Sequence, residues 1–481
     1  MEVKRKRDLR GKRSIVKIVI IETVMCKRLL YVLREHPLIK FGGIKMFFKK
    51  MMPALTLAGT IVITSACGGA GQPKAQENAA PKETPPEPVT IELLAGWKIA
   101  DEDLEQIFYK PLQAKYPHIK LNVTVSSTNN NITTMVAAGT VPDMIIMGTG
   151  NMQQMLDLGV ALDLNEQIKL QSFDMNRLDP IIVQTIKAFG KKGEIYALPY
   201  GLNYDALYYN KSLFDRFAVS YPTDGMTWDA VVELGKKVTR TDGGVQYRGL
   251  AVGNMVRIAS PLALNRFDPA TGKASVNTEA FKRAFQVFQS IVSIPGNTND
   301  KKNSDELNAF LYDKTISMYP YIGLFHRMGE AAKGGLDWDL ATYPQFPDKP
   351  GVYGEADAYY LFVTPKSKHQ KEAFQVISAV LSKEAQLASS KKGSVVTPLV
   401  DKEVREGFGK ESEVLKGKNV QAIFKHRPVP IHNNPTKYDA TADGELNSRS
   451  LQLYGGGKDI NTLIRETEDA INQKVEAQRG K

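Results

Sequence analysis

Apolar positions in this chain change their period several times, and each change predicts an element. IKLNVTV (119–125) alternates apolar and polar residues, the two-residue period of a half-buried strand, and VTIELLAGW (89–97) reads as another strand. DMIIM (143–147) is a short continuous apolar run that leads into a glycine-rich turn, as a fully buried strand does. Residues 101–116 show helical spacing interrupted near Pro111, and 151–159 reads as a helix ending on glycine. The C-terminal third is more helical, with helical spacing over 367–382, 383–391, 411–424 and 459–479. Strand–helix–strand alternation predicts an α/β fold with largely parallel sheets. The body after residue 88 is about 390 residues long, too long for one ordinary core, and predicts two domains.

A different pattern precedes that body. Residues 46–67 read MFFKKMMPALTLAGTIVITSAC, a short basic start, an apolar run from Met51 to Ile63, then small residues before Cys67. That is the order of a secretory signal, and the run is short of the about 20 apolar residues that span a bilayer. The cysteine after the small residues resembles the lipobox of bacterial lipoproteins, although Thr64 stands where Leu is usual. The resemblance implies a signal peptide over 46–66 and a diacylated Cys67 with two acyl chains, enough for stable anchoring. The remainder of 67–88 is Gly-, Ala-, Pro-rich and polar, and is expected to be a flexible tether. Residues 1–45 precede a complete signal and are expected to be a mis-assigned upstream extension, with translation starting at Met46; the alternative is a basic cytoplasmic arm.

Charge and cysteine usage follow that division. Residues 1–66 hold 15 Lys/Arg against 4 Asp/Glu, which equals the net charge of the whole chain, +11. Residues 67–481 are therefore formally neutral, so the basic balance says nothing of nucleic acid, and no nucleic-acid partner is expected. The body contains no cysteine, which excludes disulfides, thiolate catalysis and Cys-type zinc sites there.

The middle of the chain carries a second resemblance. VPDMIIMGTGNMQQMLDLGVALDLNEQI (141–168), GEIYALPYGLNYDALYYNKSLFDRF (193–217), YPTDGMTWDAVVELGKKVT (221–239), FLYDKTISMYPYIG (310–323) and the segment 338–386 are similar, in that order, to family 1 extracellular solute-binding proteins. The resemblance implies a periplasmic-binding-protein type II fold of two α/β lobes joined by crossover strands, with a ligand cleft between them. By resemblance the first lobe is 88–202 plus 358–405, and the second is 203–357 plus 406–481 with the C-terminal helices. It further implies a solute-binding lipoprotein on the outer face of the cell membrane, working with the permease subunits of an ABC importer. The protein is expected to be a monomer and not an enzyme.

The turns and crossovers of such a fold carry Trp97, Tyr200, Tyr204, Tyr319, Tyr321 and Tyr359 beside Asn151, Asn203, Glu355 and Asp357. Flat aromatic platforms with a few amide or carboxylate partners suit sugars, which have apolar C–H faces and many hydroxyls. These ten residues are the expected ligand contacts, and the expected ligand is a carbohydrate, an oligosaccharide for preference. No cofactor and no metal is expected. GTGNMQ (148–153) lacks the last glycine of a dinucleotide fingerprint, and the five histidines of the body are scattered without ligand spacing. Two other functions stay open: a receptor presenting its solute to a sensor kinase, and a secreted glycosidase, which no evident acid/base pair supports.

Overall fold

Residues 86–297 and 304–479 are described by a computed structural model. Cys67, the signal segment 46–66, the extension 1–45 and most of the 67–88 tether lie outside the described residues. In chain order the strands are β1 (Val89–Ala95), β2 (Ile119–Val125), β3 (Met144–Gly148), β4 (Leu198–Leu202), β5 (Asp205–Asn210) and β6 (Arg240–Asp242). They continue with β7 (Val245–Leu250), β8 (Ile316–Ile322), β9 (Trp338–Thr342), β10 (Val352–Glu355), β11 (Ala358–Val363) and β12 (Arg427–Val429).

Two five-stranded sheets result, ordered β2-β1-β3-β11-β4 and β6-β7-β8-β5-β9, with β10 and β12 forming a separate pair. The first sheet has a parallel core, β1 pairing in parallel with both β2 and β3. The expectation of largely parallel sheets fails in the second, where only β7–β8 is parallel and β5 runs antiparallel to β8 and β9. The cause lies in the crossovers: β5 enters the second sheet directly from β4, and β11 returns to the first, antiparallel to β3 and β4.

The first crossover is Asn203–Tyr204, between β4 and β5, and the second is Ala356–Asp357, between β10 and β11. They run side by side, the Asn203 N–H donating to the Asp357 carbonyl at 2.9 Å. Every residue of β4 and β5 is buried, as strands covered on both faces must be. The helix Glu279–Val292 shows why the flanks fold: Thr278 caps it, and Phe281, Phe285, Phe288 and Val292 recur at three- and four-residue spacing on its buried face. The C-terminal helices Asp439–Ser450 and Ile460–Arg479 pack on one another and on the second-sheet side, against Met255–Ala259 and Glu279–Val292 respectively.

Two helical expectations differ from the structure. The chain stays helical past Pro111, because a wider π-helical turn, Leu104–Tyr109, hands over to Lys110–Lys115 where the proline N–H is missing. Residues 411–424 are mostly turns, with helix only from Ala422 onward, in Ala422–Lys425, because Gly417 adopts positive φ and breaks the run. No helix of the described residues is long and apolar enough to cross a membrane.

One close approach fixes the spacing of a helix on the second sheet. A Cβ on Gly249 of β7 would stand 1.9 Å from the Gly235 carbonyl oxygen of the helix Trp228–Val238. Gly249→Ala is therefore expected to cost about 1–3 kcal/mol, as overpacked cores do. Gly444 lies mid-helix, and a Cβ there would meet nothing within 4 Å, so Gly444→Ala should stabilise by about 0.5–1 kcal/mol. Thermal denaturation of the two variants should move Tm in opposite directions.

Candidate functional site

The aromatic part of the site is assembled at the crossovers. Trp97 follows β1, and Gly96 before it lets the backbone pass Met147, whose Sδ would be 2.7 Å from any Cβ there. The Trp97 ring meets Tyr359 at 5.1 Å, and Tyr200 meets the same Tyr359 ring at 5.8 Å and 30°. Phe108 backs Tyr200 edge-on. Trp97 and Tyr359 are half-buried, whereas Tyr200 is buried. The Tyr359 hydroxyl donates to Asn203 Oδ1 at 2.6 Å, and Asn203 Nδ2 donates to Asp357 Oδ2 at 3.3 Å. Tyr204 faces Phe325 at 4.9 Å, and its hydroxyl accepts from Tyr208 at 3.2 Å.

Trp97, Tyr200, Asn203, Tyr204 and Tyr359 line one cavity of about 400 Å³, together with Asp103, Phe325 and His326. Burial raises the Asp103 carboxyl above its ordinary range, although Ser394 hydrogen-bonds to it. Asn151, Glu355 and Asp357 line a second cavity of about 700 Å³. The Asn203–Asp357 hydrogen bond stands between the two, with one partner on each wall. Both cavities draw residues from the carboxyl ends of first-sheet strands and from second-sheet elements, where open α/β sheets bind ligands.

The remaining expected contacts sit differently. Tyr319 is 1 % exposed, stacked beneath Tyr321 at 4.9 Å and 14° and packed on Phe310. Neither tyrosine lines the two cavities, and Tyr321 is the half-buried ring of the pair. Glu355 reaches the larger cavity with its oxygens already engaged. Arg266 donates to both of them, at 3.3 and 3.1 Å, and the His432 backbone N–H donates to Oε1 at 3.0 Å.

Sequence reasoning missed the charged wall of the larger cavity: Arg257, Arg266, His432, Asp439 and Asp443. Arg266 is buried and also binds Asp443 at 2.9 Å. His432 Nδ1 stands 2.7 Å from Glu355 Oε1 and 3.0 Å from Arg266 Nη1, while Nε2 stands 2.9 Å from Asp439. A ring between two carboxylates is best satisfied as imidazolium, donating from both nitrogens, with the Arg266 contact a crowding rather than a bond. Burial works to lower the His432 pKa, but the bonds to Asp439 and Glu355 outweigh it and hold it above 6.5. Burial works to raise the Glu355 carboxyl, but Arg266 and His432 outweigh that and bring it to about 2. Behind Arg257, burial pushes the Asp205 carboxyl up to about 6 against the pull of the guanidinium.

The arrangement offers stacked rings, an amide–carboxylate ridge and a wall of paired charges, a combination of apolar faces and hydrogen-bonding groups of the kind found in small-molecule sites.

Known proteins share this fold. The profile of the bacterial extracellular solute-binding protein family matches residues 97–387, more than half of the chain, and the chain belongs to that family. That places it among proteins that bind solutes outside the cytoplasm. A curated binding protein of Brucella abortus is 25% identical over 292 residues, covering 57% of this chain and 67% of that one. Among solved structures, the ABC substrate-binding protein of Listeria monocytogenes in complex with cycloalternan superposes with a TM-score of 0.64 at 20% identity, over 81% of this chain and 99% of that one. A cyclo/maltodextrin-binding protein complexed with maltotetraose gives 0.63 at 15% identity, over 81% and 98%. These likenesses establish the two-lobed fold with crossover strands and a cleft.

The His432 network makes stability depend on pH. A histidine with a raised folded pKa stabilises fully below its unfolded value of about 6.5, and that contribution is lost as pH rises through the folded pKa. Glu355, with a lowered pKa, stabilises above about 4.5 and loses that as pH falls towards about 2. The network should thus be strongest between about pH 4.5 and 6.5. His432→Gln is expected to lower Tm most in that window, and the difference from wild type should shrink as pH rises through the raised folded pKa of His432. A pH-independent difference would show that His432 is not the titrating member.

Proposed function

We propose that this protein is the carbohydrate-capturing component of an ABC importer, anchored at the outer face of the cell membrane through Cys67, with an oligosaccharide as its ligand. The observation that carries this reading is the aromatic shelf of Trp97, Tyr359 and Tyr200 beside the Asn203–Asp357 ridge, at the crossovers of a solute-binding fold. The oligosaccharides in the two solved relatives support it. The lobes divide at the two crossovers, 88–202 with 358–405 and 203–357 with 406–481. The protein performs no chemistry and acts as a monomer. Ligand that touches both lobes binds the closed form better and shifts the population towards it, and the closed form docks on the permease.

Thermal-shift screening of residues 89–481 against a glycan panel tests the ligand class directly. With the best glycan found, Trp97→Ala is expected to weaken binding by at least about tenfold, because truncating a well-packed aromatic contact often costs about 2 kcal/mol or more. Tyr319→Ala acts differently: removing a buried ring stacked beneath Tyr321 is expected to lower Tm before it touches affinity. Wild-type affinity in a folded Trp97→Ala protein would remove the shelf from the site.

Anchoring is tested separately. The product in cells should begin at Cys67 with a lipid on its thiol, and Cys67→Ala should release the protein from the membrane fraction or leave the signal uncut. Mass spectrometry of an unmodified Cys67 in the mature product would refute the anchor and leave the ligand reading standing.

A further inference from the structure

Arg257 stands apart from the other charged groups of the larger cavity. It is the third residue of the helix Met255–Ala259, and the capping side chain of Asn254 accepts its backbone N–H at 2.9 Å. Its guanidinium lines the cavity between two carboxylates, with Asp205 Oδ1 at 3.9 Å and Asp357 Oδ2 at 3.9 Å. Both separations exceed hydrogen-bonding reach. Among the described residues the guanidinium donates no hydrogen bond, and Asp205 Oδ1, in a side chain 4 % exposed, accepts none. Arg266, on the same wall, has Glu355 and Asp443 at bonding distance. A guanidinium that faces the cavity and is held just out of hydrogen-bonding reach of two carboxylates keeps its donors free for a third group.

The geometry points to Arg257 and Asp357 as a pair that reads one ligand hydroxyl and thereby selects neutral polyols over acidic or amino sugars. This rests on the carbohydrate reading above and adds the discrimination. A hydroxyl oxygen that accepts from an N–H and donates to a carboxylate, each at about 2.8 Å, separates the two partners by about 4 to 4.6 Å. The observed gap is 3.9 Å. A uronate carboxylate accepts from Arg257 but has no hydrogen for Asp357, and brings a third negative charge beside Asp205 and Asp357. An ammonium donates to Asp357 but cannot accept from Arg257 and is repelled by it. A hydroxyl satisfies both partners at once. Arg257 and Asp357 are each about one-quarter exposed at the side chain, so a solute in the cavity reaches them, whereas Asp205 is closed off behind.

Calorimetric titration of the folded body with a panel of neutral trisaccharides and with trigalacturonate tests the pair. The expected result is at least one neutral binder, with trigalacturonate at least tenfold weaker. Arg257→Met and Asp357→Asn should each weaken the neutral binder by tenfold or more. Arg257→Lys, which keeps the charge but not the planar fork, should recover only part of the loss. Asp357→Asn is nearly isosteric and guards against loss of fold in the arginine variants, and unfolding temperatures are recorded for all three. Wild-type affinity in folded Arg257→Met and Asp357→Asn, or trigalacturonate binding as tightly as the best neutral sugar, overturns the assignment. Loss of binding in Trp97→Ala with no loss in Arg257→Met overturns it alone; absence of any neutral binder overturns the carbohydrate reading together with it.

Discussion

The two crossovers lie against each other, and the site depends on that contact. The Asn203 N–H bonds the Asp357 carbonyl, and the Asn203 side chain bonds the Asp357 carboxylate. This pairing extends the β4–β11 ladder of the first sheet to the point where β5 leaves for the second. The residues at the junction are consequently held by backbone bonds on both sides, and their side chains have little freedom left to lose on binding. Tyr359 shows the effect: its ring is set by Trp97 and Tyr200, and its hydroxyl by Asn203.

A second constraint acts from behind. Arg266 lies on the stretch after the helix Met255–Ala259, Glu355 ends β10, His432 follows β12, and Asp443 belongs to the helix Asp439–Ser450. Their mutual bonds tie the strand entering the second crossover to the C-terminal helices. A buried network of this kind need not add net stability over an apolar core, but removal of any member leaves a buried charge uncompensated. Its consequence is to hold Glu355 in place, so that the next two residues, Ala356 and Asp357, emerge at a fixed position.

Much of this fold was legible from local pattern, because β2 alternates apolar and polar residues and β1 and β3 carry buried apolar runs. The helix Asp439–Ser450 was not, because its buried face is Ala442, Glu445, Leu446 and Ser450, with Glu445 satisfied by Arg449 and Lys474 instead of by apolar neighbours. No apolar periodicity announces such a helix. The aromatic half of the candidate site was legible from crossover position and residue type. Depth was not: Tyr319 and Tyr321 are two apart on one strand and share a face, and only packing on Phe310 decides which ring is covered. Glu355 looked available in sequence because Arg266 and His432, its partners, are far away along the chain. Arg257 was missed for the converse reason, since an arginine on a short capped helix carries no signal until the second crossover brings Asp357 beside it.

The division of the cleft into an aromatic cavity and a charged one bears on how a solute could close it. A ligand that rests only on Trp97 and Tyr359 touches first-sheet residues and has no reason to prefer one lobe arrangement over another. Moving a two-state equilibrium from 1:99 to 99:1 takes about 5.5 kcal/mol of differential affinity, more than two well-packed contacts at about 2 kcal/mol each supply. The differential must therefore come from groups on the second-sheet side, such as Phe325 and His326 at one cavity and Arg257 at the other. Reaching both sets from the shelf means crossing the Asn203–Asp357 ridge. On the proposed carbohydrate reading, a solute long enough to lie across that ridge gains contacts in both cavities at once, whereas a single ring in the smaller cavity reaches Phe325 and His326 but not Arg257.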